Sequence, residues 1–192
     1  MASNIVIPLR NVTQDALLDL QEKYPDAEMQ IATGGPKSNG LLREERFWEL
    51  IETLDWSKES DNTAVIEPVV STLANGPVRQ IYDFEDILSQ KLFALDGLKP
   101  ARQIGESSYK PGEYFSPDVF LYTRCCAVAN GKRTYEKVLQ NPELMPKDMD
   151  FGALLRIAPE AYERKTGREW DYVPAYSIET YSNKAGWSDL DN

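Results

Sequence analysis

Ser116-Pro117-Asp118-Val119-Phe120-Leu121-Tyr122-Thr123-Arg124-Cys125-Cys126-Ala127-Val128-Ala129-Asn130-Gly131 is the stretch whose reading decides the fold. Ser116 is a good N-cap, Pro117 suits the first helical position and Asp118 complements the helix dipole. Asn130-Gly131 supplies the left-handed turn that ends many helices. Between these signals one side carries Val119, Tyr122 and Cys126, and another carries Leu121, Cys125 and Val128. A helix apolar on every face is expected to be central and buried. Arg124 is the one charge in its interior, so the fold has to bring it an acceptor.

Working outward, the C-terminal side predicts a shorter helix with Tyr135, Val138 and Leu139, stopped by Asn141-Pro142. Asp148 or Asp150 is then expected to cap a last helix carrying Phe151, Leu154, Leu155, Ala158, Tyr162 and Lys165. Pro159 should kink it and Gly167 close it. The tail beyond holds Trp170, Tyr172, Tyr176, Tyr181 and Trp187, too apolar to float free. On the N-terminal side, residues 98–115 contain Pro100, Gly105, Pro111 and Gly112 and read as a long irregular segment. Before them three helical stripes recur: Phe47-Leu50-Ile51-Leu54; Ile66-Val69-Val70-Leu73, with Pro68 expected to kink or delay it; and Ile81-Phe84-Leu88-Leu92-Leu95. Glu85 and Asp86 fall off the last stripe and read as solvated surface. Residues 4–9 and 27–32 read as strands around a helix with Ala16, Leu17, Leu20 and Tyr24. Gly34-Gly35-Pro36-Lys37-Ser38-Asn39-Gly40 lacks the Walker spacing and reads as a link.

The expected fold is therefore α+β and predominantly α-helical, with about six helices around one core and a short N-terminal β-α-β element. The β-α-β element and its Gly-rich link occupy residues 1–40, the helical domain residues 41–167, and an aromatic tail packed on the core residues 168–192.

Composition narrows the chemistry. The 192 residues include no histidine, which removes Ser-His-Asp and Cys-His nucleophile activation and His-bearing zinc sites. The two cysteines are neighbours and read as small buried hydrophobes, because adjacent helical side chains diverge. No cofactor and no metal is expected, and no catalytic constellation stands out. The chain has neither a long apolar run nor a basic-then-apolar leader, so a cytoplasmic location without a membrane span is expected. Residues 41–96 hold five basic and twelve acidic side chains, a net of −7, whereas residues 97–149 carry a net of +2. That balance opposes nucleic-acid binding and suits a basic protein partner.

Seven residues are candidates for binding: Trp48, Asp118, Tyr122, Arg124, Tyr176, Glu179 and Trp187. Asp118 and Arg124 lie six residues apart, about 9 Å along one helix and on different faces, so they are not expected to pair. Arg124 is read either as a structural donor to buried carbonyls or a carboxylate, or as an anion-binding fork. Trp48 is read as packed against a neighbour rather than displayed. Tyr176, Glu179 and Trp187 belong either to a recognition surface or to a tail that covers the core.

Taken together, Phe47-Trp48-Glu49-Leu50-Ile51-Glu52, Leu73, the Ile81-Phe84-Leu88 helix, Ser116-Pro117-Asp118…Arg124, Ala129-Asn130-Gly131, Tyr135 and Asn141-Pro142 resemble the bacterial family catalogued as domain of unknown function 4240. The resemblance covers about residues 44–145. Members often place two acidic residues after the serine, where this chain has Pro117 and Asp118. The resemblance implies a bacterial, largely helical domain with no established reaction. The expected function is a protein-binding module of immunity type, neutralising a basic toxin domain through its acidic surface. The alternatives are an enzyme using carboxylates and Arg124 on an anionic or sugar-like small molecule, and a small-ligand or nucleic-acid-linked regulator.

Overall fold

The computed structural model of the chain describes residues 42–190. Among the described residues there are seven α-helices and no strand. The helices are α1 (Glu44–Ile51), α2 (Asn62–Asn75), α3 (Val78–Ala94), α4 (Leu98–Ala101), α5 (Pro117–Ala129), α6 (Lys132–Gln140) and α7 (Ile157–Thr166). The expected β-α-β element over residues 1–40 lies outside the described residues.

Helix α5 is the Ser116–Gly131 stretch, and its ends are built as its residues dictate. Ser116 Oγ accepts from the Val119 amide at 3.4 Å, Pro117 is the first helical residue, and Gly131 has φ 86°. Phe120, Arg124, Cys125, Ala127 and Val128 are fully buried. The all-round burial holds only for its second half. Val119 and Tyr122, in the first two turns, are each 37% exposed.

The hub of the contacts is α3, which touches α1, α2, α5 and α7. Phe47 and Trp48 of α1 are both buried despite being consecutive, because α1 sits in a corner. Phe47 packs on Phe84 of α3 at 5.0 Å and Trp48 on Tyr135 of α6 at 5.3 Å. Helices α2 and α7 are tied by a two-pronged Arg164–Glu67 pair at 2.6 and 2.8 Å.

Four local expectations are corrected. Pro68 does not delay its helix, which starts at Asn62 on an Asp61 cap that accepts from Thr63 and Ala64. Pro159 does not kink α7, because residues 152–156 form a 3₁₀ turn and α7 begins only at Ile157. Pro159 thus falls in the first turn, where no amide donor is needed. Asp148 caps no helix; its Oδ1 accepts from the Glu106 amide at 2.6 Å and ties down the 98–115 segment. Finally, Glu85 is not on the solvated surface, being only 8% exposed, and Asp86 is half-buried.

The tail accounts for the half-burial of Asp86. It runs along α3 in the same direction as the helix. Tyr172 stacks on Tyr82 and donates to Asp86 Oδ2 at 2.8 Å, Tyr176 packs on Phe93 at 5.2 Å, and residues 181–187 close over Asp96. A helix covered on a second face buries side chains that a single apolar stripe leaves outside. Tail and helix meet most closely where Gly186 crosses Gly97. A Cβ on Gly186 would strike the Asp96 carbonyl oxygen and reach the Gly97 Cα at 3.0 Å. Gly186→Ala is therefore expected to cost about 1–3 kcal/mol, read as a lowered midpoint in chemical denaturation.

Candidate functional site

Arg124 and Asp96 are both completely buried and both hydrogen-bond to the tail, although Arg124 Nε has no hydrogen-bond partner among the described residues. Arg124 Nη1 donates to the Leu92 carbonyl in the last turn of α3 at 2.9 Å. Its Nη2 donates to the Ile178 carbonyl at 2.9 Å and to Thr180 Oγ1 at 3.0 Å. Thr180 Oγ1 in turn donates to the Pro117 carbonyl at 2.8 Å, and the guanidinium lies 4.8 Å from the Phe120 ring centre. Burial pulls the Arg124 pKa down, and the Asp96 carboxylate opposes that shift. Asp96 accepts from the Tyr181 amide (3.2 Å), the Asn183 amide (2.9 Å), Ser182 Oγ (3.3 Å) and the Trp187 indole N–H (2.8 Å). Trp187 itself fills a box of Tyr109, Phe115, Phe120 and Tyr181.

The seven sequence candidates are not brought into one site. Arg124 and Trp187 meet in this buried clamp, and neither offers surface to a ligand. Trp48 is buried 3% exposed on the α1–α6 side, its indole N–H donating to Glu44 at 3.2 Å. Asp118 and Glu179 are exposed. Tyr176 is 38% exposed on the outside of the tail, and Tyr122, in the second turn of α5, is 37% exposed. An anionic molecule reaching Arg124 would first have to displace Ile178 and Thr180.

Other places offer less chemistry. An open groove of about 350 Å³ runs beside Gly97, Lys99, Leu139, Pro142, Asn183 and Ser188, and holds none of the seven candidates. Among the described residues no group of three or more His, Cys, Asp and Glu is placed to hold a metal ion. No helix among them is long and apolar enough to cross a membrane. Both cysteine thiols are buried, and burial raises both pKa values.

Sequence reasoning missed Glu85, whose neighbours leave Oε2 without a hydrogen-bond partner. Burial, then the Asp86 charge beside it, pushes its pKa up to about 7. The signal was its spacing: Glu85 lies four residues after Ile81, three before Leu88 and seven before Leu92, at the edge of the α3 stripe.

What fold and site define is a helical domain with an extended aromatic tail clamped by buried Arg124 and Asp96. Residues 42–164 match the family model described as "Protein of unknown function (DUF4240)", and the chain belongs to that family. The match contains the expected 44–145 region and extends it at both ends. No curated protein and no solved structure matches.

Arg124→Met leaves two carbonyls and the Asp96 charge uncompensated, and is expected to cost about 3–5 kcal/mol in denaturant unfolding. Unchanged stability would mean that the guanidinium is held for another purpose. For Glu85 the folded state holds its proton up to about pH 7, while the unfolded chain releases it near 4.5. Stability should therefore fall as pH rises between those values, by about 3 kcal/mol in total. Glu85→Gln should flatten that decline and be the more stable variant at pH 8; a parallel decline in wild type and variant would contradict the assignment.

Proposed function

We propose that this chain is a protein-binding module of the immunity, toxin-neutralising type, working in a bacterial cytoplasm on a basic partner. The observation that carries the reading is where its acidic charge lies. Of the twelve acids in residues 41–96, Asp83, Glu85 and Asp96 are buried, Asp86 is half-buried and Glu67 is paired with Arg164. The outward-facing excess therefore collects on residues 43–61, α1 and the turn after it. There seven acids, six of them exposed, stand against Arg43, Arg46 and Lys58.

Such a face speeds encounter with a positive surface and sets register, and its effect weakens as salt screens it. A domain with a buried core and one strongly acidic face suits blocking another protein by covering it.

The test is affinity purification of the tagged chain from its own cells, followed by binding measurements on the purified pair. A stoichiometric partner with a basic face is expected, its affinity falling as salt rises. Combined Glu45→Lys, Glu49→Lys and Glu52→Lys should weaken it at least tenfold, and co-expression should protect cells from the partner. Absence of a stoichiometric partner, or binding indifferent to both salt and charge reversal, would overturn the reading. A partner that is harmless to cells would remove the immunity version alone.

A further inference from the structure

Four apolar side chains lie open together beside the acidic turn: Met149 is 56% exposed, Trp56 45%, and Val119 and Tyr122 37% each. They are held on one scaffold. Val119 and Tyr122 are three residues apart on α5 and share a face. The segment 149–152 is strapped to that helix, Thr123 Oγ1 donating to the Met149 carbonyl at 3.0 Å and the Phe151 amide to the Tyr122 carbonyl at 3.1 Å. The Tyr122 ring lies over Gly152, where a Cβ would come within 3.0 Å of it. On the other side of the strap Trp56 packs on Phe151 at 4.9 Å. Its indole N–H has no hydrogen-bond partner among the described residues, unlike those of Trp48 and Trp187.

The charges around these four are mostly of one sign. Glu52, Asp55 and Glu59 flank Trp56, against Lys58; Asp118, Asp148 and Asp150 adjoin Val119 and Met149, against Lys147. Arg124, two residues past Tyr122, is fully buried, and Arg156 is engaged with Glu160 and Thr63.

We infer that Trp56, Val119, Tyr122 and Met149, with their acidic rim, form a docking face for a basic amphipathic helix. This inference rests on the protein-binding reading and deepens it by naming the anchor. An exposed tryptophan beside a tyrosine is the composition of an interface hot spot, and here the strap and the missing Cβ of Gly152 pre-set the two rings. Apolar side chains of the helix at i, i+3, i+4 and i+7 would cover the rings. Its Lys and Arg side chains would meet Glu52, Glu59, Asp118 and Asp150.

The experiment uses the full chain and two synthetic helical peptides, one built of Leu and Lys, the other identical with Glu for Lys. The Leu/Lys peptide should bind and shift the Trp56 indole resonance, leaving those of Trp48 and Trp187 in place. The Leu/Glu peptide should not bind. Trp56→Ala should weaken binding at least tenfold, and Asp118→Lys with Asp150→Lys should weaken it and flatten its salt dependence. Met149→Lys, at the most exposed of the four positions, carries the same test should Trp56→Ala fail to fold. No binding, equal binding of both peptides, or shifts confined to the other tryptophans would overturn the docking face. A natural partner lost on charge reversal of α1 but unaffected by Trp56→Ala and Met149→Lys would overturn it too, while leaving the protein-binding reading intact.

Discussion

The structure depends on one pair of buried opposite charges, Asp96 just past the end of α3 and Arg124 in the middle of α5. Each alone would be costly to bury, and a carboxylate beyond a helix C-terminus also faces the negative end of the dipole. Arg124 meets that difficulty by donating to the Leu92 carbonyl of the same helix end, placing its positive charge near the carboxylate. Neither group is satisfied by this neighbourhood alone. Asp96 draws all four of its donors from residues 181–187, and Arg124 draws two of its three acceptors from residues 178 and 180. The tail is therefore part of the core's electrostatics, in addition to covering its apolar surface.

The matched residues end at 164, and all four donors to buried Asp96 and two of the three acceptors of buried Arg124 lie beyond them. Trp187 joins the two roles, since its ring fills an aromatic box while its N–H serves Asp96. Residues 42–164 by themselves would leave that box and both charges open, so in this chain the folding unit is longer than the family segment.

The sequence made local features legible and distant ones obscure, for a physical reason. The ends of α5, the stripes of α1, α2 and α3, and the need of Arg124 for an acceptor all follow from neighbours a few residues away. The tail's course depends instead on side chains more than eighty residues off, such as Tyr172 with Asp86 and Trp187 with Asp96. Without it, Asp86 has every mark of a solvated face, and Trp187 reads equally as a displayed aromatic or as a cover for the core. Tyr122 is a sequence candidate and is exposed, while Trp56, across the 149–152 strap, lies five residues past the end of α1 with no periodic partner to mark it. The acidic excess was legible as a total; only the fold separates the charges used inside from those left outside.

The division between a sealed interior and a charged, partly aromatic exterior carries the functional proposals, and the clamp is what makes the interior sealed. Native-state hydrogen exchange tests that claim directly. If Asp96 and Arg124 bind the tail into the core, the Tyr181 and Asn183 amides should exchange only through global unfolding, at the same free energy as the slowest amides of α5. Exchange of those two amides through a local opening several kcal/mol below that of α5 would contradict it, and would make the tail a detachable cover.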